Sequence, residues 1–78
     1  MEVEEEFVVG EHDITTAELW RWHDGKRTII YKVPRNPDVR DICVAITHEW
    51  LHIAMRKCGI DKNYETVVEI LARISVEG

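Results

Sequence analysis

Residues 48–52 read His-Glu-Trp-Leu-His, and this segment holds the residues with the clearest capacity for chemistry. Its two histidines, His48 and His52, are four positions apart, so on a helix they lie one turn apart on the same face. Two imidazoles placed in this way can bind one Zn²⁺ ion through their nitrogens. Glu49, which follows the first histidine, can then act as general base toward a zinc-bound water. The spacing predicts a zinc hydrolase, most simply a peptidase, with Glu49 as its catalytic residue.

A catalytic zinc ion normally has three protein ligands and an open position for water, so the two histidines need a third partner. In the metzincin pattern the partner is a later histidine, preceded by a glycine that ends the helix. Here those two positions hold Cys58 and Met55. Without the glycine the helix continues and carries Cys58 about 9 Å beyond His52 along the axis. The metzincin pattern is therefore excluded.

Two glutamates on a later predicted helix are the other candidates for the third ligand. Glu65 and Glu69 are four positions apart, so they share one helix face. A His₂Glu site of the thermolysin type uses such a glutamate. If the chain reverses direction at Ile60, residues at equal distances before and after it lie side by side. The metal, near position 50 of the first helix, then lies beside position 70 of the second, which favours Glu69. This placement is loose by at least one turn, so spacing alone leaves both glutamates open.

The motif lies within a pattern that predicts a helix over residues 37–57. Asn36 suits the N-cap, Pro37 the first helical position and Asp38 the positive end of the helix dipole. Gly59 suits the C-terminal stop. Apolar residues form two nearly opposite stripes, which favours a helix packed between two layers. One stripe contains Val39, Ile42, Ile46, Trp50 and Ile53, and the other contains Val44, Leu51 and Met55.

A second helix is predicted over residues 62–75, with Asp61 as its N-cap. The short connection between the two helices favours antiparallel neighbours. This helix carries both candidate glutamates and is expected to close one side of the motif helix. Its expected apolar face comprises Tyr64, Val67, Val68 and Leu71.

Upstream of the helices, residues 15–33 predict a β-hairpin. Asp24 and Gly25 separate two segments rich in β-branched and aromatic residues, which is a strong hairpin signal. With these two residues as the turn, Trp20 lies opposite Ile29. That register places four large side chains on one face of the sheet: Trp20, Trp22, Ile29 and Tyr31.

Residues 1–12 are predicted to be an acidic tail or an edge strand, with Phe7, Val8 and Val9 as a marginal strand that ends at Gly10. The acidic residues before this run are expected to be solvated, and the weaker alternative is that one of their carboxylates reaches the metal. Together the elements predict an α+β fold in a single domain, residues 1–78. In this fold a small antiparallel sheet packs on the motif helix, and the second helix closes the other side.

The composition, 45% hydrophobic and 32% charged, is typical of a globular domain. The formal net charge of −5 argues against a nucleic-acid partner, which needs a basic face. The chain shows no secretory signal and no apolar segment long enough for a membrane, so we expect a cytoplasmic protein without a membrane partner. The sequence is compatible with a homodimer, or with a latent form in which a tail or partner blocks the metal.

The motif at 48–52, followed by Tyr-Glu-Thr-Val-Val-Glu-Ile-Leu-Ala at 64–72, resembles the gluzincins, particularly their minimal single-domain members, the minigluzincins. It is also similar to small phage and archaeal proteins with these two motifs. The resemblance covers roughly the last forty residues and, more loosely, the hairpin. It implies a zincin-like domain in which an active-site helix is followed by a glutamate helix.

The resemblance also implies a role for each candidate residue. Glu65 matches the metal ligand of the family, and Glu69 matches an acidic residue that orients a metal-binding histidine. At this second position the family more commonly has aspartate. His48, His52 and Glu65 would then hold Zn²⁺, and Glu49 would serve as the base that hydrolyses a peptide or protein substrate. Glu69 is kept as the alternative ligand.

In gluzincin-like proteins an edge strand commonly aligns the substrate in extended form. Here the resemblance implies that this strand is 17–22 or 28–33, and the sequence leaves both open. The competing hypothesis is a non-catalytic module that binds metal or a partner and retains the gluzincin-like fold.

Overall fold

The computed structural model describes residues 3–78 as a three-stranded sheet and two helices, so the predicted α+β fold is confirmed. The sheet has the order β1-β3-β2, α1 lies on one face of it, and α2 packs on α1. The central position of α1 agrees with its two apolar stripes. The strands are β1 (Val3–Gly10), β2 (Thr16–Arg21) and β3 (Arg27–Pro34), and the helices are α1 (Val39–Lys57) and α2 (Glu65–Glu77).

The N-terminal segment is an edge strand, although Met1 and Glu2 of the predicted segment lie outside the described residues. β1 runs parallel to β3, so the sheet is mixed, whereas the sequence predicted an antiparallel one. Phe7 is paired with Tyr31 in this ladder, and their rings stack with centroids 4.8 Å apart. The stack and the backbone pairing fix a strand whose acidic composition gave little indication of order.

Glu5 connects β1 to the neighbouring strand and to α1. Its carboxylate accepts hydrogen bonds from the Tyr31 hydroxyl (3.1 Å) and from the Trp50 indole N–H. Burial and the adjacent Glu5 carboxylate raise the pKa of Tyr31 above its ordinary value. Glu4, Glu5 and Glu6 are all exposed, as expected, but the carboxylate of Glu5 also accepts hydrogen bonds from two neighbouring elements.

The hairpin register differs by one residue from the predicted register. Leu19, and not Trp20, lies opposite Ile29. Because successive residues of a strand face opposite sides, a shift of one residue moves every side chain of β2 to the other face. The expected grouping of Trp20 and Trp22 with Ile29 and Tyr31 is therefore wrong.

The loop geometry explains this shift. The Trp22 carbonyl accepts a hydrogen bond from the Gly25 N–H (3.0 Å), and the Trp22 N–H donates to the Lys26 carbonyl (2.9 Å). These bonds enclose a three-residue loop in which Gly25 has a φ of +87°. A two-residue type I′ turn needs positive φ at both central residues, and the φ of Asp24 is not positive. The loop is therefore a type I turn followed by a glycine bulge.

The corrected register separates the two faces of the sheet. The face toward α1 holds the main hydrophobic core, and the opposite face holds two half-exposed tryptophan rings with centroids 6.4 Å apart. The core consists of buried Ile29, Tyr31, Val33 and Ile53, surrounded by partly buried Val3, Ala17, Leu19, Ile42, Ala45 and Ile46.

α1 begins two residues later than predicted because Asp38, and not Asn36, is its N-cap. The Asp38 carboxylate accepts a hydrogen bond from the Arg40 N–H (2.9 Å). The helix ends at Lys57, the predicted residue. Gly59, with a φ of +84°, then supports the two backbone hydrogen bonds of a Schellman motif.

α2 begins at Glu65, three residues later than predicted, because Tyr64 and not Asp61 is its N-cap. Tyr64 has a left-handed backbone, and it makes no capping hydrogen bond through its side chain. The buried residues of α2 are Val68 and Ala72. The expected apolar face is therefore mostly wrong, since its other members stay about half exposed: Tyr64, Val67 and Leu71.

The two helices run antiparallel, as their short connection predicts. Within residues 3–78, neither helix combines the length and the apolar character needed to cross a membrane. The contacts that define the antiparallel pairing are Arg40 with Glu77, His48 with Glu69, and Arg56 with Asn63.

The hairpin loop makes a direct prediction about Gly25. We expect Gly25→Ala to lower the free energy of unfolding by about 1–2 kcal/mol, because a Cβ atom disfavours positive φ. Gly10→Ala is the matched control, since its new Cβ would meet His12 only at an ordinary 3.7 Å. Urea unfolding followed by circular dichroism measures both variants. Equal stability of the two variants would contradict the positive φ of Gly25 on which this loop depends.

Candidate metal centre

His48 and His52 face α2 from adjacent turns of α1. Their ring centroids are 4.8 Å apart, and their Nε2 atoms are 3.1 Å apart. Both side chains are largely buried, with 15% and 11% of their surface exposed. The four-residue spacing therefore brings two imidazole nitrogens to one point between the helices.

Glu65, the first residue of α2, joins the two histidines. Its Oε2 atom lies 3.1 Å from the His48 Nε2 atom, and its Oε1 atom lies 2.9 Å from the His52 Nε2 atom. The ligand atoms of the three residues all lie within 4.8 Å of one another. His48, His52 and Glu65 thus form a group that could hold a metal ion.

The separations within this group fit a small tetrahedral ion. With bonds of about 2.0–2.1 Å, two ligand atoms of a tetrahedral ion are about 3.3 Å apart. The two Nε2 atoms are 3.1 Å apart, and they lie 3.1 and 2.9 Å from different oxygens of Glu65, so each of these pairs is close to this value. Imidazole nitrogen and carboxylate oxygen are also ligand atoms that divalent transition metals accept.

Glu69 contacts the other side of the His48 ring. Its Oε2 atom lies 2.8 Å from the His48 Nδ1 atom, so the Nδ1–H group can donate to this carboxylate. A metal-binding histidine usually donates its second N–H to such an acceptor, which fixes the tautomer and the ring orientation. These positions agree with the roles that the resemblance implies. The choice of Glu65 over Glu69 as ligand stays a prediction, since it concerns metal binding itself.

This tautomer creates an electrostatic requirement at the centre. When His48 is neutral and carries its proton on Nδ1, its Nε2 atom presents a lone pair. The Glu65 carboxylate, 3.1 Å away, also presents only lone pairs. Two acceptors at this distance need a positive charge between them, and a metal ion or an added proton supplies it.

Both glutamates reach the histidines because of the point at which the antiparallel helices are centred on each other, called here the mirror point. His48 faces Glu69 and His52 faces Glu65, so the mirror point lies between positions 58 and 59. The placement about Ile60, which favoured Glu69 alone, was therefore displaced by more than one residue. With the observed mirror point, position 50 of α1 lies beside a point of α2 between Glu65 and Glu69.

The rotation of α2 follows from these contacts. Turning Glu65 and Glu69 toward α1 places Val68 and Ala72 in the helix interface, where both are buried. The same rotation turns Val67 and Leu71 toward solvent. A purely hydrophobic criterion predicts a different rotation, which explains why the expected apolar face was wrong.

Glu49 lies beside the histidines and lines the same cleft as His48. Burial raises the pKa of the Glu49 carboxyl above its ordinary value, His48 and His52 oppose the rise, and Glu65 adds to it. A carboxylate with a raised pKa holds a transferred proton better near neutral pH, which suits a general base.

The cleft beside the centre lies between the edge strand β2 and the two helices and has a volume of about 510 Å³. That volume is within the range of small-molecule sites. One wall is the chain from 14 to 17, and the floor and far wall come from α1 and α2. The residues of those two helices are Asp41, Val44, Ala45, His48, Glu49, Glu65, Glu69 and Arg73.

Arg73 is a member of this site that the sequence reasoning missed. Its Nε–H group donates to the Glu69 Oε1 atom (3.0 Å), while the other oxygen of Glu69 contacts His48. Arg73 therefore helps to orient the carboxylate that holds the imidazole. Its position four residues after Glu69 was the available signal, since i,i+4 pairs meet on a helix surface.

No carboxylate of β1 belongs to the candidate metal group within residues 3–78, so the alternative of a ligand from the acidic segment receives no support there. No protein-family model, curated protein or solved structure matches this chain. The functional proposal therefore depends on the geometry of the centre and on the resemblance of its motifs.

The raised pKa of Glu49 predicts a pH-dependent effect of Glu49→Gln on the metal-free protein. Because the folded state favours the protonated carboxyl, its stabilising contribution is present below the ordinary pKa of 4.5 and is lost as the pH rises through the raised value. Glutamine stays neutral, so the variant should gain stability relative to the original chain between pH 4 and pH 7.

Solvent screening of the half-buried side chain keeps the expected gain below about 1 kcal/mol. Urea unfolding at both pH values in the presence of a chelator measures it. Glu6→Gln, at an exposed carboxyl outside the cleft, is the control and should show no comparable gain. If the stability of Glu49→Gln relative to the original chain fell as the pH rose from 4 to 7, the raised pKa of Glu49 would be contradicted.

Proposed function

We propose that this protein is a zinc-dependent metallopeptidase-like hydrolase of minimal gluzincin type. The observation that carries the proposal is the convergence of His48 Nε2, His52 Nε2 and the Glu65 carboxylate, with Glu49 in the adjoining cleft. Two histidines and one glutamate are a ligand set of catalytic zinc sites. The contact between the Glu69 carboxylate and the His48 Nδ1 atom supports the same assignment.

In this proposal each residue has a separate task. His48, His52 and Glu65 would hold Zn²⁺, which would supply Lewis-acid activation of the attacking water and of the scissile carbonyl. Glu49 accepts a proton from the attacking water and then donates it to the leaving amine. Glu69, supported by Arg73, keeps the His48 ring in the orientation that directs Nε2 inward.

The strand that would align the substrate is β2. Of the two expected segments, 28–33 lies in the central strand β3 and has neighbours on both sides, so that alternative was wrong. Within residues 3–78, β2 has a neighbour on one side only. Because antiparallel pairs alternate, the N–H and C=O groups of Ala17 and Leu19 point away from β3. An extended peptide can pair with them beside the cleft.

A non-catalytic metal-binding module is the second candidate. The observation that favours it is that Glu65 and Glu69 join α2 to α1 at the very point where α2 buries only Val68 and Ala72. An ion held there would cross-link the two helices, and its binding free energy would add to folding stability. This role needs no substrate and no action of Glu49.

The third ligand can be identified by comparing Glu65→Ala with Glu69→Ala. Loss of a residue that only orients a histidine typically weakens metal binding about 10–100-fold. We expect Glu69→Ala to fall in that range and Glu65→Ala to lose more affinity. Competition titration with a chromophoric zinc chelator measures both, and Glu11→Ala is a control at an exposed carboxyl.

In the same titration the unaltered chain should bind one equivalent of zinc. Less than about a tenth of an equivalent in excess zinc would contradict the zinc site. If Glu69→Ala alone abolished binding, Glu69 would be the ligand and the roles of the two glutamates would be exchanged.

Hydrolysis itself is tested with Glu49→Gln. In a mixed peptide library analysed by mass spectrometry, the zinc-loaded protein should cleave peptides and the variant should not, because glutamine cannot accept the proton of the attacking water. Zinc content must remain at one equivalent in the variant. Zinc binding without cleavage by the unaltered protein would favour the non-catalytic module, and equal cleavage by both would contradict the role of Glu49.

A further inference from the structure

The exposed side of α2 carries four large aliphatic side chains at helical spacing. Their positions follow the i, i+3, i+4, i+7 pattern that lines one helix face. This α2 stripe consists of Val67 (52% exposed), Ile70 (52%), Leu71 (45%) and Ile74 (59%). Monomeric proteins rarely leave a contiguous apolar patch of this kind to solvent, and such patches commonly mark interaction sites.

Nothing within residues 3–78 covers the α2 stripe. The opposite side of α2 packs on α1, and the sheet lies beyond α1 without contacting α2. The rotation that turns Glu65 and Glu69 toward the histidines also prevents α1 from burying the stripe. Within the described residues the stripe is therefore free to contact a second molecule.

We propose that the α2 stripe is a dimer interface between two copies of this chain, packed as antiparallel α2 helices about a two-fold axis. With the axis between positions 70 and 71, Ile70 of each copy meets Leu71 of the other, and Val67 meets Ile74. The stripe is then complementary to itself, as a two-fold interface requires. This interface uses none of the metal-binding side chains and needs no catalytic activity.

The charges at the ends of α2 favour the antiparallel arrangement. Lys62 lies just before the helix, and Glu77 is its last residue. Antiparallel packing brings Lys62 of each copy toward Glu77 of the other, whereas parallel packing brings like charges together. Among the described residues Glu77 forms an exposed ion pair with Arg40 at 3.8 Å, and its side chain, 53% exposed, stays accessible to a second copy.

The size of the stripe sets the expected strength of the dimer. A standard stable interface buries about 800 Å² on each partner, and a single helix face is smaller than that. The net charge of −5 on each copy also opposes association. We therefore expect a dissociation constant in the micromolar range, about 1–100 μM.

Sedimentation velocity of the metal-free protein between about 1 and 300 μM measures this equilibrium. The unaltered chain should shift from monomer to dimer across the series. Ile70→Glu should raise the dissociation constant at least about tenfold, since it places a charge at the two-fold axis. Trp20→Glu makes the same charge change on the outer face of the sheet and should leave the dimer unchanged.

A monomer at all concentrations would overturn the proposal, as would a dimer that Ile70→Glu does not weaken. Loss of the dimer in Trp20→Glu alone would move the interface to the sheet and overturn it too. Far-UV circular dichroism confirms that each variant is folded before it is counted, and Ile70→Ser replaces Ile70→Glu if the latter does not fold.

A charge exchange tests the orientation of the helices. Lys62→Glu should weaken the dimer, and the double variant Lys62→Glu with Glu77→Lys should restore it. Failure of the double variant to restore the dimer would overturn the antiparallel arrangement. Because all these measurements use metal-free protein, their outcome is separate from the outcome for zinc binding and hydrolysis.

Discussion

The contact between two histidines of α1 and two carboxylates of α2 determines how the helical layer is built. The Nε2 atoms of His48 and His52 contact the carboxylate of Glu65. The Nδ1 atom of His48 contacts the carboxylate of Glu69. These directed contacts, together with the burial of Val68 and Ala72, set the rotation of α2. They also explain why the aliphatic residues on the far side of α2 remain in solvent.

The sheet supports this layer without contributing a ligand from its described residues. Its inner face packs against α1. The Glu5 carboxylate also accepts a hydrogen bond from the indole N–H of Trp50, which lies within the 48–52 motif. β2 forms one wall of the cleft, and the tryptophans of the hairpin face away from it. The sheet therefore fixes the position of α1 and shapes the approach to the centre.

Much of this architecture follows from local sequence signals. The end of α1, the convergence of the two histidines and the antiparallel helices depend on caps, helical spacing and a short connection. The hairpin register does not, because Asp24-Gly25 fits both a two-residue loop that pairs His23 with Lys26 and the observed three-residue loop that pairs Trp22 with Lys26. The rotation of α2 and the role of Arg73 depend on contacts between elements, which spacing within one helix does not encode.

The connection between Glu5 and Trp50 has a consequence for how the chain folds. His48 and Glu69 are 21 positions apart, whereas Glu5 and Trp50 are 45 positions apart. Shorter loops close with a smaller loss of entropy, so the contact between the two helices is expected to form before Glu5 reaches Trp50. During synthesis β1 leaves the ribosome first, yet its partners β3 and Trp50 follow later. The contact between β1 and α1 is therefore expected to be one of the last to form.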